Sequence, residues 1–240
     1  NPAIPELQFN LGAMLYAMND HNGAIIHYQK AINLNPNFVE AFFNLGIVLQ
    51  NQAKHKEAVV AYQKVVNLQP GFYEAIGNMG TIKQLQGDLD EAIRLFEQSI
   101  AIYEDARGHY NLACAYRNQG SLPLSIKHYR RAIEIGSGEA EFYSDLGDTL
   151  WHDGNIEEAS RFLRMAVEVD SSHPKANYQL AIFLYDNKAF DEAIKYFEAS
   201  QFEDWQERVL YCLYKLEQFD MFKERLLQVI DKNNISPFLA

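Results

Sequence analysis

A chain of 240 residues with 48% hydrophobic and 22% charged residues can bury a core, and it is too rich in aromatics for a disordered segment. Its 21 Lys and Arg stand against 32 Asp and Glu, a formal net charge of -11 without any basic run, which argues against nucleic acid as a partner and for basic or neutral ones. Cys114 and Cys212 lie too far apart for a CxxC pair, which argues against a disulfide framework or zinc site and fits a reducing, cytoplasmic setting, and no apolar stretch is long enough to span a membrane.

Self-similarity at a fixed period organises the chain. The triplets Asn10-Leu11-Gly12, Asn44-Leu45-Gly46, Asn78-Met79-Gly80, Asn111-Leu112-Ala113, Asp145-Leu146-Gly147 and Gln179-Leu180-Ala181 recur at steps of 34, 34, 33, 34 and 34 residues. Twelve residues after each triplet begins to close comes a small residue: Ala24, Ala58, Ala92, Ser125, Ala159, Ala193. Four residues further on stand Tyr28, Tyr62, Phe96, Tyr129, Leu163 and Phe197, then Ala31, Val65, Ser99, Ala132, Ala166 and Ser200. This spacing predicts six units, 5–38, 39–72, 73–105, 106–139, 140–173 and 174–202, each with two amphipathic helices of about a dozen residues.

Within a unit the small residue of the triplet is expected to face the small residue of the second helix, so that the two helices approach closely. Asp88, Ser121 and Asn155 stand where second helices begin and are expected to act as N-caps. Gly87, Gly120 and Gly154 fall in the intervening turns, where a positive φ is cheap for glycine, and Pro123 falls in a first helical turn. Beyond residue 202 the pattern decays, although Trp205, Leu210, Leu213, Phe219, Phe222 and Leu226 keep helical spacing; residues 203–232 read as a divergent seventh unit or cap. Asn1-Pro2 matches Asn35-Pro36, so residues 1–4 read as the tail of a preceding unit, and 233–240 as a C-terminal tail.

These units resemble the tetratricopeptide-repeat (TPR) family, whose 34-residue unit is a helix-turn-helix with a small residue at position 8, Ala at 20, an aromatic at 24 and Ala at 27; the resemblance covers about residues 5–202. It implies an all-α, right-handed superhelical solenoid that binds another polypeptide in its concave face. By the same resemblance, position 6 of each unit lines the groove: Asn10, Asn44, Asn78, Asn111, Asp145 and Gln179. An asparagine amide both donates and accepts, so a ladder of them can hold the main chain of an extended peptide of any sequence. The ladder is similar to that in the TPR arms of O-GlcNAc transferases and SPINDLY-type proteins. The alternative is that each Asn bonds a neighbouring helix and maintains repeat geometry. Phe9, Phe43, Tyr110 and Tyr178 at position 5, and Tyr16, Trp151, Tyr185 and Tyr214 at position 12, are candidate anchors for a bound chain or, alternatively, packing between first helices. The Lys and Asn pattern by which other TPR proteins clamp a carboxylate tail is absent: position 5 is never Lys and position 9 is never Asn.

No catalytic constellation emerges. The seven histidines form no HExxH or other metal spacing, Gly136-Ser137-Gly138 lacks the Lys-Ser/Thr of a phosphate loop, and the pairs Asp90-Glu91 and Glu157-Glu158 suit the start of a helix. Neither catalytic residues nor metal nor cofactor are expected. The reading is a non-enzymatic interaction scaffold for a protein or peptide partner. Its rival is the substrate-recruiting arm of a larger glycosyltransferase or oxygenase. Open helix faces at the ends of the array are expected to permit a homodimer through terminal repeats.

Overall fold

The computed structural model describes residues 4–136, 138–202 and 204–232. Among the described residues there are fourteen α-helices and no strand, so the all-α expectation holds. The chain divides into two parts, Asn1–Ser121 and Leu122–Ala240. The first part contains α1 (Pro5–Ala17), α2 (His21–Leu34), α3 (Val39–Asn51), α4 (His55–Leu68), α5 (Tyr73–Leu85), α6 (Leu89–Ile102) and α7 (Ala106–Gln119). The second contains α8 (Leu122–Ile135), α9 (Ala140–His152), α10 (Ile156–Val169), α11 (Pro174–Asp186), α12 (Phe190–Ser200), α13 (Trp205–Lys215) and α14 (Phe219–Lys232). In each part successive helices pack on one another, so every contact surface is made by near neighbours in sequence. The expected tail at 233–240 and the Asn1-Pro2 turn lie outside the described residues.

The close approach inside a pair differs in detail from the expected small-on-small contact. A methyl group placed on Gly12 would lie 2.8 Å from the Tyr28 ring, one on Gly46 2.5 Å from Tyr62, and one on Gly80 2.8 Å from Phe96. In the second part, a methyl group on Gly147 would lie 2.7 Å from the Leu163 side chain. The glycine therefore makes room for the large side chain one turn beyond the alanine. Ala24, Ala58 and Ala92 are themselves fully buried beside these rings, and Tyr28, Tyr62 and Phe96 are at most 1% exposed.

The turn inside each pair is the same throughout. The backbone N–H groups of Asp20, Lys54, Asp88 and Ser121 donate to the carbonyls of Leu15, Leu49, Lys83 and Tyr116 at 2.8–3.0 Å, and those of Asn155, Ala189 and Gln218 donate to Leu150, Leu184 and Leu213 likewise. This six-to-one closure needs one left-handed residue. Gly87, Gly120 and Gly154 supply it with φ of 80°, 86° and 87°, as their positions suggested. Asn19, Ala53, Lys188 and Glu217 adopt it too, at φ of 62°, 56°, 62° and 58°, so the closure is imposed even where the residue disfavours it.

Two of the expected N-caps, Asp88 and Asn155, make no side-chain cap bond. The Asp88 carboxylate accepts from Lys83 Nζ at 3.2 Å, Asn155 Nδ2 donates to Asp153 Oδ2 at 2.7 Å, and Ser121 Oγ donates to Gln119 Oε1 at 3.4 Å. Aspartate caps occur instead at Asp20 and Asp105, which accept from the N–H groups of Gly23 and Gly108 at 2.9 and 2.6 Å. The difference lies three residues on. A methyl group on Gly23 or Gly108 would sit 2.3 or 2.6 Å from the capping carboxylate, whereas α6 and α10 carry Glu91 and Glu158 there, a bulky side chain of the same charge as Asp88.

Two substitutions test this account. Gly46→Ala is expected to lower stability by about 1–3 kcal/mol, because the new methyl cannot fit beside the Tyr62 ring. Ala53→Gly is expected to raise stability by about 0.5–1 kcal/mol, the strain relieved less the entropy glycine loses. Denaturant melts measure both, and an unchanged midpoint for Gly46→Ala contradicts the close approach.

Candidate functional site

The first helices carry a repeated polar stripe. On α1 it comprises Glu6, Asn10, Ala13 and Ala17, spaced i, i+4, i+7, i+11 on one helical face; on α3, Glu40, Asn44, Ile47 and Asn51; on α5, Glu74, Asn78, Thr81 and Leu85; on α7, Arg107, Asn111, Cys114 and Asn118. Glu6, Glu40 and Glu74 are exposed, as is Asn10, while Asn44, Asn78 and Asn111 are half-buried. The sequence reading passed over the glutamate row, although its 34-residue spacing is as regular as that of the asparagines one turn away.

Asn78 is also braced from behind. Asn78 Nδ2 donates to the hydroxyl of Tyr62 at 3.2 Å, and Tyr62 donates to Gln50 Oε1 at 3.0 Å. Asn44 stands near the hydroxyl of Tyr28 and lowers its pKa as Asn78 does that of Tyr62. Burial pushes both tyrosine hydroxyls up from their ordinary pKa, and the asparagine opposes that rise without cancelling it. A primary amide has two N–H donors and an oxygen. Bracing engages one N–H, so repeat geometry and ligand contact do not compete for the whole group. Tyr28 and Tyr62 stand sixteen residues before Asn44 and Asn78, a spacing that could have revealed the pairing. Before Asn111 the corresponding ring is Phe96, which has no hydroxyl.

In the second part the same position is built differently. Asp145 is 1% exposed, and Lys175 Nζ lies 2.8 Å from its Oδ1 and 3.9 Å from Glu141 Oε1. Gln179 Nε2 reaches Asp145 Oδ1 at 3.4 Å. Gln179 Oε1 is a buried acceptor without a hydrogen-bond partner among the described residues. Asp145 thus presents little surface to a ligand and serves mainly to fix Lys175.

The candidate aromatics are largely engaged in packing. Phe9 lies 5.8 Å from Tyr28 and 5.1 Å from Phe38, and Phe43 lies 5.9 Å from Tyr62 and 4.8 Å from Phe72, between ring centroids. Tyr110 is only 7% exposed, with the Arg107 guanidinium 5.2 Å from its ring centre. Tyr178 stacks on Phe202 at 4.7 Å and donates to Asp204 Oδ2 at 3.1 Å; Trp151 packs edgewise on Phe183 at 5.5 Å. Tyr185 sits between Tyr211, 5.3 Å away, and Arg208. Among the described residues, the aromatics left more than half exposed are the candidate Tyr214 and two that were not candidates, Tyr103 and Phe219.

On the opposite face of α3, a cavity of about 570 Å³ is lined by Phe42, Leu45, Leu49, Val60 and Ala61, with Glu57 and Lys64 beside them. Burial pushes the Cys212 thiol up to about 11, which keeps it protonated and unreactive near neutral pH. Among the described residues, no group of three or more His, Cys, Asp or Glu is placed to hold a metal ion, and no helix is long and apolar enough to cross a membrane.

Comparison with known proteins agrees with the repeat. Models of the TPR repeat match residues 12–53, and tetratricopeptide-repeat models match 39–72, 73–137 and 144–208. A protein of Haemophilus influenzae, named there as uncharacterized, is 23% identical over 142 residues, 55% of this chain and 79% of that one. Among solved structures, the APC/C hetero-tetramer Cut9-Hcn1 is similar with a TM-score of 0.76 at 17% identity, over 89% of this chain and 44% of that one. MamA is similar at 0.62 and 24% identity, over 70% and 92% of the two chains. YrrB, described as a TPR protein with an unusual peptide-binding site, is similar at 0.60 and 20% identity, over 79% and 97%.

Lys175→Met tests the electrostatics of the second part. It leaves the Asp145 carboxylate buried without its Lys175 partner, at an expected cost of about 2 kcal/mol, reduced from the fully buried case because Lys175 is 38% exposed. Asp145→Asn in the same chain is expected to recover most of that loss in a thermal melt. A double variant no more stable than Lys175→Met contradicts the pairing.

Proposed function

We propose, for a chain that belongs to the tetratricopeptide-repeat family, that the stripe of first helices in residues 1–121 binds an extended segment of a partner protein through its main chain. The observation that carries this reading is the row Asn10, Asn44, Asn78 and Asn111, set at one position on four consecutive first helices and only partly covered. The bond that Tyr62 accepts from Asn78 holds that amide in fixed orientation, which lowers the entropy lost on binding. The likeness to YrrB, a protein with a peptide-binding site, agrees with it.

Charge narrows the partner. Glu6, Glu40 and Glu74 border the asparagines, and the whole chain carries a formal net charge of -11, so a segment with Lys or Arg is favoured over an acidic one. Adjacent packed helices stand about 8–10 Å apart and an extended chain rises about 3.3 Å per residue, so each step along the row takes about three residues. A segment of about ten to twelve residues reaches all four asparagines.

The probe is a random twelve-residue peptide library selected on the immobilised chain. Replacing Asn44, Asn78 and Asn111 together by Ala is expected to weaken the selected peptides by about 1.5–4.5 kcal/mol, at about 0.5–1.5 kcal/mol per bond, and by similar amounts for peptides of different sequence. Tyr62→Phe removes a brace without touching the groove and is expected to change affinity far less. With folding verified by circular dichroism, full affinity in the triple variant overturns the reading. Loss of binding on Val60→Glu instead assigns the peptide to the cavity on the other face.

A further inference from the structure

A row of acids runs along the second helices, and at most of its places the array supplies an arginine. Glu57, Glu91, Glu158 and Glu192 stand at one repeat position on α4, α6, α10 and α12. Glu91 accepts from Arg94 on its own helix at 2.6 and 2.7 Å. Glu158 accepts from Arg161 on its own helix at 3.2 Å, and from Arg130 on the preceding second helix, α8, at 2.7 Å. Glu192 accepts from Arg164 on its preceding second helix, α10. At Glu57 both sources are replaced: Val60 stands where Arg94 and Arg161 stand, and Gln29 where Arg130 and Arg164 stand. Among the described residues, Glu57 has no ion-pair partner.

A large side chain is missing beside it. Four residues beyond the acid position, the six second helices of the regular units carry His27, Ala61, Leu95, His128, Phe162 and Tyr196, and only Ala61 is small. In α2 the ring of His27 places Nδ1 2.8 Å from Gln8 Oε1, in α6 Leu95 is buried, and in α10 Phe162 stacks on Tyr143 at 6.4 Å. In α4 the place stays open. It is the cavity of about 570 Å³ lined by Phe42, Leu45 and Leu49, and Gln29, Glu57 and Val60 belong to the same wall. Val60 is 71% exposed there. Because α2 and α5 pack on the α3–α4 pair from either side, the opening is a property of this pair and not of an uncovered end.

We propose that this cavity docks a helix of a partner protein that brings both missing groups, an arginine for Glu57 and a large apolar side chain for the space beside Ala61. Charge complementarity names the arginine, since the array itself places one on each of the other three acids of the row. The size of the gap names the apolar side chain, since histidine, leucine or an aromatic stands at that place in the other units. Glu57 and Ala61 lie one turn apart on α4, and a docked helix presents its own side chains at the same spacing. Arginine and aromatic side chains are also the usual anchors of protein interfaces. This site is separate from the asparagine row and does not depend on it.

The probes are two alanine-based helical peptides, one carrying Arg and Phe one turn apart and one carrying Gln and Phe. In a nuclear magnetic resonance titration of the isotope-labelled whole chain, the Arg peptide is expected to move the methyl groups of Leu45, Leu49 and Val60 and to leave the side-chain amides of Asn44, Asn78 and Asn111 in place. The Gln peptide is expected to bind about fivefold more weakly, the worth of an ion pair partly covered on docking. Glu57→Gln is expected to remove that preference and bind both peptides alike. Ala61→Leu, which copies Leu95, is expected to raise the thermal midpoint while abolishing binding, so its effect cannot be mistaken for a folding failure. Val60→Arg, at an exposed position, is expected to weaken the Arg peptide by satisfying Glu57 from within. Unmoved methyl groups, full affinity in Ala61→Leu, or equal affinity of the wild type for the Arg and Gln peptides overturns the proposal, the last by reducing the site to an apolar pocket alone.

Discussion

Everything in the array depends on how near two antiparallel helices can come at one glycine. Gly46 leaves space for the Tyr62 ring, and Gly12 and Gly80 do the same for Tyr28 and Phe96. That contact fixes the rotation of each first helix about its own axis. Once rotation is fixed, the residues two positions before the glycine point the same way in pair after pair. The row of asparagines is thus a consequence of packing on the other side of the helix, and at Gly46 the Tyr62 hydroxyl that fills the gap reaches through to bond Asn78.

The two parts of the chain use this frame for different chemistry. In residues 1–121 the position two before the small residue holds neutral amides beside a glutamate row. In residues 122–240 it holds Asp145, buried and neutralised by Lys175, with Gln179 leaning on the same carboxylate. Neutral amides can exchange water for a peptide backbone at small cost, whereas a buried ion pair is committed to its partner. The groove chemistry proposed for this chain accordingly rests on its first half.

Much of the fold was legible because helix pairs are specified by short-range pattern. The period, the small residues and the ring positions read directly onto α1–α12, and Gly87, Gly120 and Gly154 took the positive φ their setting required. What escaped depended on contacts between residues whose types do not announce them. Asp88 and Asn155 look like caps but form none, whereas the two aspartate caps, Asp20 and Asp105, have a glycine three residues on, Gly23 and Gly108. Tyr110 reads as a groove aromatic yet is buried, and Phe9 and Phe43 are drawn inward by Phe38 and Phe72, residues of the inter-unit loops. Ala53, Lys188 and Glu217 hold a left-handed turn that their identities disfavour, because the closing hydrogen bond belongs to the repeat and not to the residue.

Side-chain amide resonances give the most direct test of the central claim, that Asn44, Asn78 and Asn111 hold the main chain of an extended segment. The measurement is a nuclear magnetic resonance titration of the isotope-labelled chain with a library-selected twelve-residue peptide, following the Nδ2 protons of these three residues. The account predicts that all three move together with one binding curve, while the methyl groups of Val60 and Leu49 in the cavity on the opposite face stay in place. Movement of Val60 and Leu49 with unmoved asparagine amides contradicts it.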